Sequence, residues 1–459
     1  MSFFFDFFGE GETLNSKMKW LKLSPPQILA LGFAAAILVG TILLMLPVSS
    51  RTGEPISGID AMFTAASAVC LTGLVVVDTG TSFSAFGHTV ILLLIQLSGL
   101  GFMTMATLFA LVFKRRISLK DRLVLQEAMN QSSIEGIVRL IRRVFIYSLT
   151  FEACAAVLFT LRWAWDMPIG KALYFGVFHS VSLFNNAGFD LFGDFHSLTD
   201  YVDDPLVNIV SMLLIISGGI GFVVLSDLID FRQKRKLSLH SKVVLSMSGA
   251  LIFIGAIIIF IFEFTNPLTL SSLDGGGKVL ASFFQSVSPR TAGANSIDIG
   301  GLRQATQFFI IILMFIGASP GSTGGGIKTT TFMVMVGAVF AMMRGREDIV
   351  LFRFRLAQER VLKALTIALL ALLLVLTVSM ILSTTEDADF LEILFETTSA
   401  FGTVGLSMGL TPDLTVFGKI LISLTMFAGR LGPLTLAYAL GPKKGKELYR
   451  HPEGKMIIG

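Results

Sequence analysis

Four glycine loops recur along the chain at nearly constant spacing. Their glycines are separated by 115, 105 and 112 residues, and a phenylalanine lies ten residues before each glycine. The loops are Cys70, Leu71, Thr72, Gly73; Asn185, Asn186, Ala187, Gly188; Arg290, Thr291, Ala292, Gly293; and Gly402, Thr403, Val404, Gly405. Glycine lets successive carbonyls point to one side, because it adopts backbone angles that a Cβ atom penalises. A ring of carbonyl oxygens can replace the hydration shell of a monovalent cation, so the loops predict an ion-binding ring.

A second concentration of glycine lies between the third and fourth loops. The small-residue insert, Gly317–Thr331, holds one proline and five glycines, and two apolar runs flank it. Such a sequence is a poor helix former, so we expect an unwound loop that obstructs the path below the ring; a kinked, closely packed helix is the alternative. The stretch also approaches a Walker A motif, but Ile327 separates Gly326 from Lys328 and no strand is predicted before it, so nucleotide binding is not expected here.

Three basic residues fall at membrane depth: Arg290, Lys328 and Arg430. On insertion scales each costs about 2.5–3.5 kcal/mol, so each needs a partner or a polar cavity. We expect Arg430 to lie in the cavity below the ring, where it raises the barrier to a cation. Arg290 is expected to brace the third loop by pairing with an acid such as Glu392 or Glu396.

The composition indicates which elements must position these residues. Of the 459 residues, 53% are hydrophobic and only 15% are charged, against about 25% charged in soluble domains. Two cysteines exclude a disulfide scaffold or a thiolate metal cluster. A spanning helix needs roughly 20 apolar residues, and eight segments meet this requirement. They are 26–48, 85–113, 141–163, 206–228, 243–264, 305–343, 361–383 and 414–440.

Charge along the connections predicts the orientation. Five segments hold 27 of the 36 Lys and Arg residues: the N-terminal stretch, 114–143, 232–242, 344–363 and the tail. The other connections are rich in acids, and these would concentrate cations or simply be solvated. The positive-inside rule therefore predicts that both termini are cytoplasmic.

Each outward connection contains an apolar segment too short to span, which has the size of a re-entrant helix. The chain therefore divides into four copies of one unit, and the predicted fold class is an all-α polytopic membrane protein. The predicted division is 1–25 (cytoplasmic N-terminus), 26–113 (repeat 1), 114–136 (cytoplasmic connection), 137–229 (repeat 2), 243–343 (repeat 3), 361–440 (repeat 4) and 441–459 (cytoplasmic tail).

The four glycine loops, the small-residue insert and the repeats together resemble the Trk/Ktr/HKT potassium-transport family, most closely the bacterial Ktr membrane (pore) subunit. The resemblance implies four M1-P-M2 repeats around a pseudo-fourfold pore, with eight transmembrane spans and four re-entrant pore helices. It implies K+ uptake across the plasma membrane, with the four loops as selectivity filter. The implied gate comprises Gly317, Gly321, Gly324, Gly325, Gly326, Lys328 and Arg430.

The resemblance also implies partners: a homodimer on a cytoplasmic ring of nucleotide-binding regulatory subunits. The nucleotide is expected on that partner, with no cofactor in this chain and K+ as the transported ion. Activation by Na+ is allowed for, nucleic acid is not an expected partner, and no catalytic chemistry is needed.

Two alternatives remain from the residues. An ion-coupled transporter that works by alternating access usually shows inverted repeats and broken helices; here the repeats run in one direction and only one span is predicted to be broken. A non-conducting membrane sensor is the other alternative, and the four intact glycines argue against it.

Overall fold

The computed structural model describes residues 25–101 and 137–440, and this part of the chain is built almost entirely from helices. The predicted N-terminal segment up to residue 24, the cytoplasmic connection 114–136 and the tail 441–459 lie outside the described residues. The side predicted to face outward is called the outer side below.

Fifteen helices of eight or more residues occur in the described ranges. They are α1 (Pro25–Leu44), α2 (Gly58–Cys70), α3 (Ala85–Gly99), α4 (Ile137–Trp163), α5 (Ile169–Phe184), α6 (Pro205–Gly219), α7 (Phe222–Lys234), α8 (Leu239–Glu263), α9 (Gly275–Val287), α10 (Gln304–Phe315), α11 (Thr329–Met343), α12 (Gln358–Thr385), α13 (Phe390–Gly402), α14 (Val416–Leu431) and α15 (Pro433–Leu440). Two short antiparallel strands, β1 (Val350–Leu351) and β2 (Phe354–Arg355), join α11 to α12.

The helices repeat in one order four times: a first span, a pore helix and a second span. The first spans are α1, α4, α8 and α12, and each is long and apolar enough to cross a membrane. The pore helices α2, α5, α9 and α13 have 13, 16, 13 and 13 residues, which is too short to span. Each ends at or just before its glycine loop, and the predicted four-repeat helical fold is therefore confirmed.

The pore helices form the core, and the first spans surround it. Phe63, Phe178 and Phe395 of the pore helices are at most 1% exposed. In contrast, only 28% of the most apolar window of α12 is buried within the chain, and Leu365, Leu369 and other large apolar side chains of α12 point outward. A helix that is apolar all round and mostly uncovered by protein is typical of a membrane span.

The second spans are broken more often than the sequence predicted. In repeat 2, α6 and α7 meet at an angle of 102°, and Gly221 between them has a φ of +91°. In repeat 3 the break covers the residues between α10 and α11, and in repeat 4 Gly432, with a φ of +82°, separates α14 from α15. The prediction of one broken span was therefore wrong, because a single glycine is enough to end a helix in the left-handed region.

In every repeat the outer end of the first span, or in repeat 1 the turn Pro47–Ser49 that follows it, is hydrogen-bonded to the N-cap residue of the second span. The chemistry of the tie differs between repeats, and the sequence did not predict it. The contacts are Ser84 N–H to Ser49 O (2.8 Å) in repeat 1, the Arg162 guanidinium to the Asp204 carboxylate in repeat 2, Arg303 N–H to Glu263 (3.0 Å) in repeat 3 and Thr415 N–H to Glu386 (2.8 Å) in repeat 4. These ties set the spacing between the two spans that enclose each pore helix.

Candidate ion pathway

The four glycines of the loops form a closed ring. A Cβ atom added to Gly73 would lie 2.4 Å from the carbonyl oxygen of Ala187, and one added to Gly188 would lie 2.9 Å from that of Ala292. The same atom on Gly293 would lie 2.3 Å from the Val404 oxygen. On Gly405 it would lie 2.1 Å from the Thr72 oxygen. Each glycine thus contacts the next repeat, and the fourth contacts the first.

The four loops share one backbone conformation. The glycines Gly73, Gly188, Gly293 and Gly405 have φ values of +87°, +71°, +72° and +97°. The residue two positions earlier is also left-handed in every loop: Leu71, Asn186, Thr291 and Thr403 have φ values of +59°, +56°, +86° and +50°. A positive φ is unusual for residues other than glycine, so its recurrence at one position in four loops indicates a shared structural requirement.

The residues between these positions are buried in every loop. Thr72, Ala187, Ala292 and Val404 directly precede the glycines and have no exposed surface. The first loop positions, Cys70, Asn185, Arg290 and Gly402, lie toward the surrounding helices and are also buried. The sixteen predicted residues therefore come together as one set, with the glycines at its centre.

A serine hydroxyl fixes each loop against its pore helix. Ser67 and Ser399 accept hydrogen bonds of 3.0 Å from the N–H groups of Gly73 and Gly405. In repeat 2, Ser182 instead donates to the carbonyl of Phe189, the residue after the glycine, at 2.6 Å.

Repeat 3 departs from the predicted alignment by one residue. The phenylalanine ten residues before Gly293 is Phe283, and six residues before this glycine stands Val287, where the other repeats have a serine. In the structure, the fully buried phenylalanine is Phe284 and the equivalent serine is Ser288. Ser288 donates to the carbonyl of Ala294, which directly follows the glycine. The third loop is therefore one residue shorter between the serine and Gly293, and the shift hid Ser288 from the alignment of the repeats.

The small-residue insert lies directly beneath the ring. A Cβ atom on Gly324 would lie 2.1 Å from Oγ1 of Thr291, and one on Gly325 would lie 2.4 Å from Oγ1 of Thr403. The insert folds back on itself, because a Cβ atom on Gly317 would lie 2.2 Å from the carbonyl oxygen of Gly325. Residues 317–328 contain no helix, which confirms the predicted unwound loop for this part of the insert. The last three residues of the insert, 329–331, form the first turn of α11.

The insert is also held by the break in the second span of repeat 2. Ser319 N–H donates to the carbonyl of Gly219 at 3.0 Å, and Phe222 N–H donates to that of Gly321 at 3.0 Å. Gly219 packs closely against the second glycine loop, because a Cβ atom added to it would lie 3.3 Å from Nδ2 of Asn186. The insert therefore links repeats 2, 3 and 4 beneath the ring.

Backbone carbonyls hold the two basic residues near the insert. Lys328 Nζ donates to the carbonyls of Gly324 at 2.7 Å and Gly325 at 3.3 Å. Arg430 donates to the carbonyl of Thr323 through Nη1 and to that of Ser98 through Nη2, the latter at 2.8 Å. Arg430 thus connects the insert to the end of α3 in repeat 1.

The predicted partner of Arg290 was wrong. Its Nη2 donates to Oγ of Ser248 at 3.0 Å and its Nη1 to the Ser248 carbonyl at 3.4 Å, both on α8 of the same repeat. Glu396 instead accepts a hydrogen bond from Oγ1 of Thr411. The interaction of Arg290 is with its own first span, and that pairing depends on helix packing that the sequence does not specify.

An acid lies just outside the ring in one repeat only. The residues two positions after the glycines are Val75, Asp190, Asn295 and Ser407, and all four are partly exposed. Although part of the residue is exposed, the surrounding protein desolvates the carboxyl group and raises the pKa of Asp190 to about 7. Hydrogen bonds from the Phe192 and Gly193 N–H groups oppose this shift, and the charge of Asp78 adds to it. The outer side of the ring therefore carries a carboxyl group whose pKa lies near neutral pH.

Comparisons with known proteins find relatives along almost the whole chain. The model of the family described as "TrkH: Cation transport protein" matches residues 26–443. The chain is 46% identical to Ktr system potassium uptake protein B of Bacillus subtilis over 442 residues, which cover 96% of this chain and 98% of the relative. It is 40% identical to potassium/sodium uptake protein NtpJ of Enterococcus hirae, covering 97% of this chain and 100% of the relative.

A solved structure has the same fold. The potassium transporter TrkH from Vibrio parahaemolyticus aligns with a TM-score of 0.73 at 17% identity, over 93% of this chain and 86% of that one. The relatives are ion transport proteins rather than enzymes. The apolar helices and the family match describe a multi-pass bacterial membrane protein. The chain belongs to the TrkH family of cation transport proteins.

Proposed function

We propose that this chain is the pore-forming subunit of a K+-selective uptake system in the bacterial plasma membrane. The closed ring formed by Gly73, Gly188, Gly293 and Gly405 is the observation that carries the proposal. The names of the relatives, which describe potassium uptake or potassium and sodium uptake, support it.

In this proposal K+ loses its water at the four glycine loops and is coordinated by their backbone carbonyls. The pore helices contribute as well, because each ends next to a loop, and the C-terminal end of a helix carries a partial negative charge. This field favours a cation over an anion at the ring. An inside-negative membrane potential drives the ion inward with about 2.3 kcal/mol per charge per 100 mV.

The small-residue insert acts as the gate below the filter. Its close approach to Thr291 and Thr403, directly beneath the ring, supports this role. Arg430 holds it closed by binding the Thr323 carbonyl, and Lys328 stiffens it from within through Gly324. An open state requires these contacts to break and the glycine-rich backbone to move aside.

The gate responds to a separate regulatory subunit. Several relatives are named as proteins B or D of a Ktr system, which supports a multi-component assembly. We propose that two copies of this chain sit on a cytoplasmic ring of nucleotide-binding subunits. The termini are cytoplasmic, as the distribution of basic residues predicts, and Na+ activates the complex.

Alternating access is the competing function. The extra helix breaks at Gly221 and Gly432 remove one argument against it, since broken helices are typical of such transporters. The parallel order of the four repeats still favours a pore. A non-conducting sensor would have no need for four glycines in close mutual contact.

Flux into liposomes tests the proposal. We would compare the wild type, Gly188→Ser and Gly53→Ser, each with and without a cytoplasmic fraction that supplies the regulatory subunit. Gly53 is a matched control, because its φ is +77° and an added Cβ would meet nothing within 4 Å. We expect K+ to pass down its gradient with little Na+, and Gly188→Ser alone to lose that discrimination. Saturating flux that needs a co-ion gradient would favour alternating access, and no flux under either condition would refute the pore.

A further inference from the structure

A buried carboxyl group lies behind the second glycine loop without a basic partner among the described residues. Glu152 is on α4, the first span of repeat 2, and is 5% exposed. Ser148 Oγ donates to its Oε1 at 2.9 Å. Gln96 Nε2 donates to Oε1 and Oε2 at 3.2 and 3.1 Å.

This carboxyl group is connected to the loop through side-chain amides. Asn185, the first loop residue, donates from Nδ2 to Oε1 of Gln96 at 2.9 Å and to Oε1 of Glu152 at 3.3 Å. The Gln96 amide is therefore oriented at both ends: its nitrogen faces the carboxyl group and its oxygen faces Asn185. Asn185 has no exposed surface, so it has no solvent with which to replace these contacts.

The space around Asn185 is tight. A Cβ atom on Gly99 of α3 would lie 1.9 Å from Oδ1 of Asn185, so a side chain at that position would displace the amide. Asn185 is thus confined between α3 of repeat 1 and α4 of repeat 2, three residues before Gly188. A rotation of the Asn185 amide would therefore move the loop backbone that precedes the glycine.

Other buried glutamates have a different position and role. Glu263 also has no exposed surface, but it accepts hydrogen bonds from Asn266, Thr269, Thr306 and the Arg303 N–H group. These donors lie at the outer ends of α8 and α10, and none belongs to a glycine loop. Glu263 is therefore a natural comparison: the same residue type on the first span of the next repeat, buried and hydrogen-bonded, but away from the ring.

We propose that Glu152 is a positioning residue for ion selectivity, which acts on the second glycine loop through Gln96 and Asn185. The inference rests on the proposed function, because it assumes that the glycine ring selects the ion. The inference assigns a role in selectivity to a residue outside the four loops, because the Glu152 side chain would determine the position of the second loop.

The polarity of the hydrogen-bond chain explains why the carboxyl group matters. In every described side-chain contact of Glu152 the partner is the donor: Ser148, Gln96 and Asn185. A glutamine at 152 would present an N–H group to amide donors, so either its own amide or that of Gln96 must turn. If Gln96 turns, its N–H group faces the Asn185 Nδ2 donor. Asn185 then keeps the Val181 carbonyl, at 2.9 Å, as an acceptor but loses the Gln96 oxygen, and two buried donors face each other, which is unfavourable. The loop then relaxes to a different geometry.

The K+ to Na+ permeability ratio of reconstituted protein tests this proposal. We expect Glu152→Gln to lower the ratio at least threefold, and Gln96→Met, which removes the connecting amide at similar length, to lower it in the same way. Ser148→Ala is the matched control, because it removes a donor to the same carboxyl group but leaves the Gln96 amide that connects this group to Asn185. Its ratio should stay at the wild-type value, as should that of Glu263→Gln, even if either variant melts at a lower temperature.

A purely structural role would affect the amount and thermal stability of folded protein but not the ratio. The proposal is overturned if folded Glu152→Gln retains the wild-type ratio, or if Ser148→Ala lowers the ratio as much as Gln96→Met. If Glu152→Gln does not fold, the comparison of Gln96→Met with Ser148→Ala decides.

Gly188→Ser in the same assay separates this inference from the proposed function. If the wild type itself does not discriminate K+ from Na+, the proposed function fails. If the wild type discriminates and Gly188→Ser does not, the ring selects the ion, and an unchanged ratio in Glu152→Gln then overturns only the role of Glu152.

Discussion

Lys419 and Asp60, 359 positions apart in the sequence, form an ion pair of 2.8 Å between Nζ and Oδ1. Lys419 lies on α14, the second span of repeat 4, and Asp60 lies in the first turn of α2, the pore helix of repeat 1. A hydrogen bond joins α3 to α5, where His88 Nδ1 lies 2.7 Å from the Tyr174 hydroxyl. At these two interfaces the second span of one repeat thus contacts the pore helix of the next, and the Lys419 pair connects repeat 4 back to repeat 1.

Removing this ion pair should destabilise the protein. The side chains of Lys419 and Asp60 are only 15% and 20% exposed, so Lys419→Met should lower the unfolding free energy by about 1–3 kcal/mol, more than an exposed pair contributes. The melting temperature in detergent measures the effect. Arg355→Ala is the control, because its pair with Asp348 is 74% and 48% exposed. An equal change in the melting temperature of both variants would mean that the Lys419–Asp60 pair does not stabilise the contact between repeats 4 and 1.

Alanine at each of the four ring glycines should lower the selectivity for K+ over Na+. The loss should be largest where an added Cβ atom would lie closest to the facing carbonyl oxygen. The distance from an added Cβ to the facing carbonyl oxygen is 2.1 Å for Gly405, 2.3 Å for Gly293, 2.4 Å for Gly73 and 2.9 Å for Gly188. We expect the K+ to Na+ ratio to fall most in Gly405→Ala, by tenfold or more, which is about 1.4 kcal/mol, and least in Gly188→Ala. Gly53→Ala controls for backbone strain alone. Equal ratios in all four variants would contradict the ring geometry.

Substitution of Arg430 should open the pathway. Its guanidinium group joins Thr323 of the insert to Ser98 of repeat 1, and hydrogen bonds to charged groups contribute about 1.5–3 kcal/mol each. Arg430→Ala should therefore raise K+ flux in liposomes at least fivefold when no regulatory subunit is present. Arg303→Ala, which removes a donor to Thr265 at the outer side, should leave the flux unchanged. A decrease in Arg430→Ala would indicate that the arginine supports the open state.

Uptake should depend on external pH through Asp190. Because its pKa is raised to about 7, the carboxyl group is charged above that pH and becomes neutral below it. K+ influx at limiting external K+ should fall about twofold to fourfold from pH 8 to pH 6, since a unit charge several ångströms from the ion in water interacts by about 0.5–1 kcal/mol.

The Asp190→Asn variant should lose that pH dependence, and the exposed Asp200→Asn variant should keep it. Asp78 and His196 face the same group, so Asp78→Asn should move the midpoint to lower pH. A wild-type profile that is flat between pH 6 and pH 8 would exclude Asp190 from the ion path.

The sequence predicted those features that recur with the repeat. Gly73 and its three equivalents stand out because four loops repeat one spacing, and their positive φ angles follow from the type of residue. The insert was recognisable for a similar reason, since so many glycines cannot form a stable helix.

Contacts between helices could not be predicted, because they depend on which helices become neighbours. Arg290 binds Ser248 rather than an acid, and nothing in the spacing of these residues indicates it. Glu152 did carry a signal, as the only acid between residues 141 and 163: an ionisable residue in a span is a functional candidate. Ser288 was hidden by a one-residue shift in repeat 3.

All four loops of the ring belong to one chain, and this has a genetic consequence. In a pore made of four identical subunits, one codon change alters four positions at once. In the pore proposed for this chain, a change at Asp190 alters one of the four positions beside the ring and leaves Val75, Asn295 and Ser407 as they are. Each of the four loops can therefore change independently of the others. A gene that encodes all four can alter the charge beside the ring by one unit at a time, whereas a symmetric tetramer changes it by four.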